Sequence, residues 1–140
     1  MTRWAIVDTG PLVAFLDRRE RHHAWAVAQM RTLKAPLLVC ESVLTEAMFL
    51  LSGFPAAREK LMHWLDRGVL EIGFNLADHK QTVTALLLKY QDVPMALADA
   101  CLVRMTEIHD RHVVFTLDSD FSIYRKHGRL PIAVLVPDRP

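Results

Sequence analysis

The chain has 140 residues, 17 of them basic and 16 acidic, for a formal net charge of +1, so no overall polycation is present to hold nucleic acid without specificity, and a polyanionic ligand must be gripped locally. Hydrophobic residues at 51% and charged ones at 24% exclude a disordered chain and predict one folded domain, residues 1–140, around one core. No segment approaches the roughly 20 apolar residues that span a bilayer, and MTRWAIVDTGPL lacks an apolar run followed by a cleavage site, so neither insertion nor secretion is expected.

In chain order, WAIVD at 4–8 is a short apolar run closed by Thr9 and Gly10, and it predicts a buried strand. Pro11 suits the first turn of a helix, so PLVAFLD is expected to be helical, with Asp8 left at the carboxyl end of the strand. HAWAVAQMRT at 23–32 has helical apolar spacing, and LLVC at 37–40 predicts a second strand. SVLTEAMFLL predicts a helix capped by Ser42 and stopped at Gly53 to Pro55. A helix over 56–66, a weaker strand VLEIGF at 69–74 and a long helix ADHKQTVTALLLKYQ follow. Asp92 is expected to cap a helix opened by Pro94 that carries Asp99. VVFTL at 113–117 and IAVLV at 132–136 predict the last strands, with a short polar helix over 119–126 between them. Apolar strands alternating with helices argue an α/β fold with a central parallel sheet. No linker, internal repeat or low-complexity tract interrupts it.

Four carboxylates stand out. Asp8 ends the first strand and Asp118 directly follows the strand VVFTL, and ligands of parallel α/β sheets bind beyond the carboxyl ends of strands. Glu46 has Ser42, Val43, Phe49 and Leu50 three or four positions away, which predicts that it points inward. Asp99 has Met95, Ala96, Leu102 and Val103 at the same spacing, so it too is expected to project from an apolar side. Neither acid has a lysine or arginine three or four positions away, so no cation on its own helix offsets the cost of burying it. Each acid alone has a structural explanation: Asp8 and Asp118 as helix caps, Glu46 as the buried partner of an arginine. A shared hard cation explains them together, because Mg2+ or Mn2+ prefers several carboxylate oxygens and favours their ionisation.

The ordered set IVDTGPL, SVLTEA, LADACLV and FTLDSDF resembles the PIN-domain ribonucleases, which include the VapC-type toxins, over essentially the whole chain. The resemblance implies a single-domain α/β/α sandwich with a central parallel sheet. It also implies an acidic pocket binding Mg2+ or Mn2+, endonucleolytic cleavage of RNA, and a homodimer, with a small antitoxin protein as a further partner. Carried over by position, it assigns Asp8, Glu46, Asp99 and Asp118 as catalytic, metal-binding acids. Thr9 and Thr116 match the hydroxyl residues beside them, and Asp120 is auxiliary. Other readings of the same residues are a different Mg2+-dependent phosphoryl-transfer enzyme with Asp8 as phospho-acceptor, and a non-catalytic RNA-binding or protein-interaction module.

RRERHH at 18–23 follows the helix that leaves Asp8, so Arg18, Arg19 and Arg21 are candidates for RNA phosphate contacts, against a plain solvated connection. The seven histidines are expected at the surface, because His22 with His23 and His109 with His112 lack zinc-finger spacing. Cys40 and Cys101 sit in apolar segments and read as buried reduced thiols, which points to the cytoplasm. No G-x-S-x-G elbow or Gly-rich phosphate loop is present.

Overall fold

The computed structural model describes residues 3–138. Strand β1 (Ala5–Val7) is three consecutive buried residues, as expected of a strand covered on both faces. It runs into helix α1 (Thr9–Leu16), for which Asp8 is the N-cap, its side chain accepting from the Thr9 N–H. Pro11 lies in the first turn of α1, where no intrahelical donor is needed. Helix α2 (His23–Met30), strand β2 (Leu37–Val39), helix α3 (Glu41–Leu50), helix α4 (Pro55–Arg67) and strand β3 (Leu70–Ile72) follow. Then come helix α5 (Lys80–Lys89), helix α6 (Leu97–Ile108), strand β4 (Val113–Phe115), the short pair β5 (Arg125–Lys126) and β6 (Leu130–Pro131), and strand β7 (Val134–Leu135).

The five-stranded sheet has the order β3-β2-β1-β4-β7, and every pairing in it is parallel. The register sets Ile6 beside Leu38 on one side and Val114 on the other. Helices flank this sheet, as the alternation of apolar strands and helical segments predicts. The chain builds outward from β1 through β2 to β3, then returns across β1 to add β4 and β7. That reversal places a crevice above the carboxyl ends of β1 and its two neighbours, where ligands of open parallel sheets bind. Helix α6 packs against both β1 and β4, with Leu102, Val103 and Met105 fully buried. Its amino end therefore reaches the crevice.

Several expectations are corrected. Helix α6 begins at Leu97, not at Pro94, and its N-cap position is Ala96, not Asp92. The backbone N–H groups of Val93 and Met95 both bond back to the carbonyl of Tyr90, closing a turn that the chain must leave before a helix starts. Helix α3 starts two residues earlier than a Ser42 cap requires, with Cys40 at the N-cap and no side-chain capping bond. The long helix before Tyr90 is split into a 3-10 turn at Leu76–His79 and α5. The expected helix over 119–126 is a 3-10 turn, Ser119–Ser122, leading into the antiparallel β5–β6 pair.

Glu46 is exposed rather than inward-facing. The buried stripe of α3 is Val43 and Ala47, whereas Phe49 and Leu50, whose apolar character argued for burial of that face, are themselves 74% and 50% exposed. Apolar residues do not by themselves define a core face. The histidines, expected at the surface, are corrected in part: His23 bonds the Ala14 carbonyl, His109 the Gly73 carbonyl, and His79 accepts from Arg104. Cys40 and Cys101 are free and buried, as expected. They also line one cavity of about 420 Å³ together, and a hydrogen bond to Cys101, with burial, pushes the Cys40 thiol up.

Candidate active site

Four elements deliver the candidate acids to one cleft. Asp8 stands at the carboxyl end of β1, Asp118 two residues after Thr116 beyond β4, Asp99 in the first turn of α6, and Glu46 midway along α3. A cleft of about 380 Å³ is lined by all four, with Thr9, Gly10, Ala96, Ala98 and Leu117 completing its walls. Positions 8, 46, 99 and 118 are thus brought together, with Glu46 at the exposed mouth.

The carboxylates are held by local bonds. Asp8 Oδ1 accepts from the Thr9 backbone N–H at 2.8 Å, and its Oδ2 accepts from the Thr116 hydroxyl at 2.7 Å. The same Thr116 hydroxyl accepts from the Asp118 N–H at 2.9 Å, so one threonine couples the ends of β1 and β4. Asp118 Oδ1 accepts from the Asp120 N–H at 2.9 Å. Asp120 is therefore a backbone partner of Asp118, and its negative charge also bears on Asp99. Asp99 Oδ2 accepts from the Ala96 N–H at 3.0 Å, with the Tyr124 hydroxyl at 3.4 Å. These bonds fix each carboxylate while leaving lone pairs on it, since an ionised carboxylate has about four acceptor sites.

Electrostatically the cleft resists its own charge. Burial, opposed by the bonds from Thr116 and Thr9 and reinforced by the charges of Asp99 and Asp118, raises the Asp8 carboxyl to about 6. Asp99 is raised as well, first by burial and then by Asp118 and Asp120. Burial, with the charge of Asp99 beside it, also pushes the Tyr124 phenol up. The ion pairs among the described residues are Arg19–Asp17 and Arg104–Glu107, so no arginine or lysine neutralises the cleft. The buried Thr9 hydroxyl oxygen also has no hydrogen-bond partner, a state that costs about 1–3 kcal/mol unless a ligand meets it.

This donor set of carboxylates and hydroxyls is hard and oxygen-only, which fits Mg2+ or Mn2+ and not a soft metal. Among the described residues no three His, Cys, Asp or Glu side chains stand close enough to form a closed cage. The fit is therefore to a cation that keeps much of its water and touches few carboxylates directly, as Mg2+ does.

Sequence reasoning missed the apolar walls and Tyr124. Gly10 is legible afterwards: a Cβ there would meet the Leu117 side chain at 2.9 Å, so its absence lets α1 start against the residue that walls the cleft. Nothing in the sequence separates Tyr124 from an ordinary core aromatic.

The PIN-domain family model matches residues 5–126. The chain belongs to the PIN-domain family. Among solved structures this PIN domain is similar to VapC20 of Mycobacterium tuberculosis, described as a sarcin-ricin loop cleaving toxin, with a TM-score of 0.76 over 91% of this chain and 99% of that one. At 19% identity the likeness is one of fold. No curated protein matches the chain.

The three candidate arginines of the PIN domain go separate ways. Arg19 pairs with Asp17 and lies over the Phe54 ring. Arg18 faces a cavity lined by Phe15, Val27 and Lys60. Arg21 alone borders a groove that shares Asp118 with the acidic cleft.

Proposed function

We propose that this PIN domain is a divalent-metal-dependent endoribonuclease that hydrolyses RNA phosphodiester bonds with Mg2+ or Mn2+. The observation that carries the reading is one cleft lined by Asp8, Glu46, Asp99 and Asp118, with no basic side chain among the described residues paired to any of them. A bound divalent cation supplies charge neutralisation at the scissile phosphate and activation of the attacking water. Asp8, Asp99 and Asp118 would hold that cation largely through its retained waters, Asp8 oriented by Thr9 and Thr116, and Asp118 by the Asp120 N–H. Glu46, exposed at the mouth, would accept a proton from the incoming water. The fold shared with VapC20, described as a toxin, supports a toxin role, and the proposal extends to a cytoplasmic homodimer with a small antitoxin as partner. No helix among the described residues is long and apolar enough to cross a membrane.

The test is cleavage of labelled RNA by the wild-type protein and by Asp99→Asn in Mn2+ and in chelator. Wild-type cleavage abolished by chelator, and reduced about a hundredfold or more by the substitution, supports the reading. Cleavage that survives both chelation and loss of Asp99 refutes it.

A further inference from the structure

Beside the acidic cleft lies a second groove of about 460 Å³, inside the range of roughly 300–1,000 Å³ typical of small-ligand sites. Leu117 and Asp118 belong to both, so whatever occupies the groove abuts the acids directly. Its apolar lining is Leu117, Val134 and Val136, with Phe121 buried beneath them, and the exposed Arg21 and Asp138 border it. Arg21 is exposed and takes part in no ion pair among the described residues. An apolar floor with a cation at its lip and an acceptor carboxylate beside it has the chemistry of a nucleotide: a flat ring face, a phosphate and exocyclic amino groups.

We infer that this groove is a nucleotide subsite, which seats the base next to the scissile phosphate of single-stranded RNA over the apolar side chains of Leu117, Val134 and Val136, with Arg21 on the neighbouring phosphate. The inference rests on the nuclease reading for its register along the strand. Its ligand class, unpaired ribonucleotide, follows from the groove itself. A duplex keeps its base faces stacked, so a floor that takes one ring face requires an unpaired base. The subsite also separates Arg21 from Arg18 and Arg19, which border other surfaces.

The experiment uses the full chain, two groove variants and one control. Arg21→Ala removes an exposed side chain, Ser122→Trp fills the groove from an exposed position on the 3-10 turn, and Arg18→Ala is the control. Fluorescein-labelled hexaribonucleotides of A, C, G and U are titrated in Ca2+ by anisotropy. In Mn2+, cleavage of the same RNAs is compared with hydrolysis of bis(p-nitrophenyl) phosphate, a diester with no base. Loss of stacking and one phosphate contact predicts binding weaker by about tenfold or more in both groove variants and unchanged in the control. RNA cleavage should fall through KM, with hydrolysis of the small diester held within about twofold. Groove variants that melt like wild type and bind RNA like wild type overturn the subsite, as does a wild-type protein that binds none of the four RNAs. A parallel fall in small-diester hydrolysis overturns it too, because the substitutions would then act on the acids. Should wild type bind RNA in the groove yet cut neither substrate, the subsite stands and the nuclease reading falls.

Discussion

Asp8→Asn replaces a carboxylate whose ionisation the fold opposes. Burial first, and then the charges of Asp99 and Asp118, lift this carboxyl from its ordinary 3.8 to about 6 even against the bonds from Thr116 and Thr9. At about 1.4 kcal/mol per unit, ionised Asp8 lowers folding stability by about 3 kcal/mol. The unfolded chain releases this proton near pH 4 and the folded chain near pH 6. Stability linked to Asp8 is therefore full below pH 4, declines between pH 4 and 6, and is flat above. Asparagine cannot ionise. Its oxygen still accepts from the Thr9 N–H, but its amide faces a Thr116 hydroxyl that loses its acceptor, at a cost of about 1 kcal/mol. In chelator at pH 8 the variant should be more stable than wild type by about 2 kcal/mol, or roughly 8 °C in Tm for a chain of this size. At pH 4 it should be less stable by about 1 kcal/mol. Urea unfolding of both proteins in EDTA from pH 4 to 8 reads the crossing directly, and the difference between them cancels the titrating groups that do not interact with Asp8. Parallel curves with no crossing would refute the electrostatic account of the cleft.

Mn2+ at a hundredfold excess over Kd should stabilise the wild type at pH 7.5 by about 2.7 kcal/mol, raising its Tm, and should stabilise Asp8→Asn less; differential scanning fluorimetry against a chelated baseline checks it. Asp99→Asn should leave apo stability within about 1 kcal/mol, because relief of a resisted charge offsets a weaker interaction with the α6 amino end, and calorimetry in EDTA measures this. Thr116→Val should destabilise by about 1–3 kcal/mol, since it leaves the Asp118 N–H without its acceptor. It should also raise the Asp8 carboxyl further by removing the donor that lowers it, moving the acidic limb of the RNA-cleavage pH profile upward.

The strands were legible because β1, β2 and β4 are buried on both faces and therefore consist of uninterrupted apolar, mostly β-branched runs. Asp8 and Asp118 were legible for the same reason, since a carboxylate directly after such a run must sit at the rim of the sheet. Helix starts were less so. The start of α6 depends on two amide groups folding back onto the Tyr90 carbonyl, a local turn that the helix-start signal of Pro94 masks in the sequence. Glu46 was placed in the right cleft with the wrong burial, because Phe49 and Leu50 imitate a core stripe while lying exposed. The β5–β6 pair spans two residues per strand, too few for a period to register. The grouping of Arg18, Arg19 and Arg21 as one basic patch dissolves once α1 turns and Arg19 is drawn to Asp17 and Phe54.

The hydrogen bond from Thr116 to Asp8 joins residues 108 positions apart, and it bears on when the cleft is complete as the chain is synthesised. A growing chain carries Asp8, Glu46 and Asp99 well before Thr116 and Asp118 exist. Until β4 is made and inserts beside β1, Asp8 lacks the hydroxyl that orients it, and the cleft lacks a wall. The cleft is thus closed last, by a segment that follows Asp8 by more than a hundred residues, and its four acids share one wall only when the sheet is nearly complete.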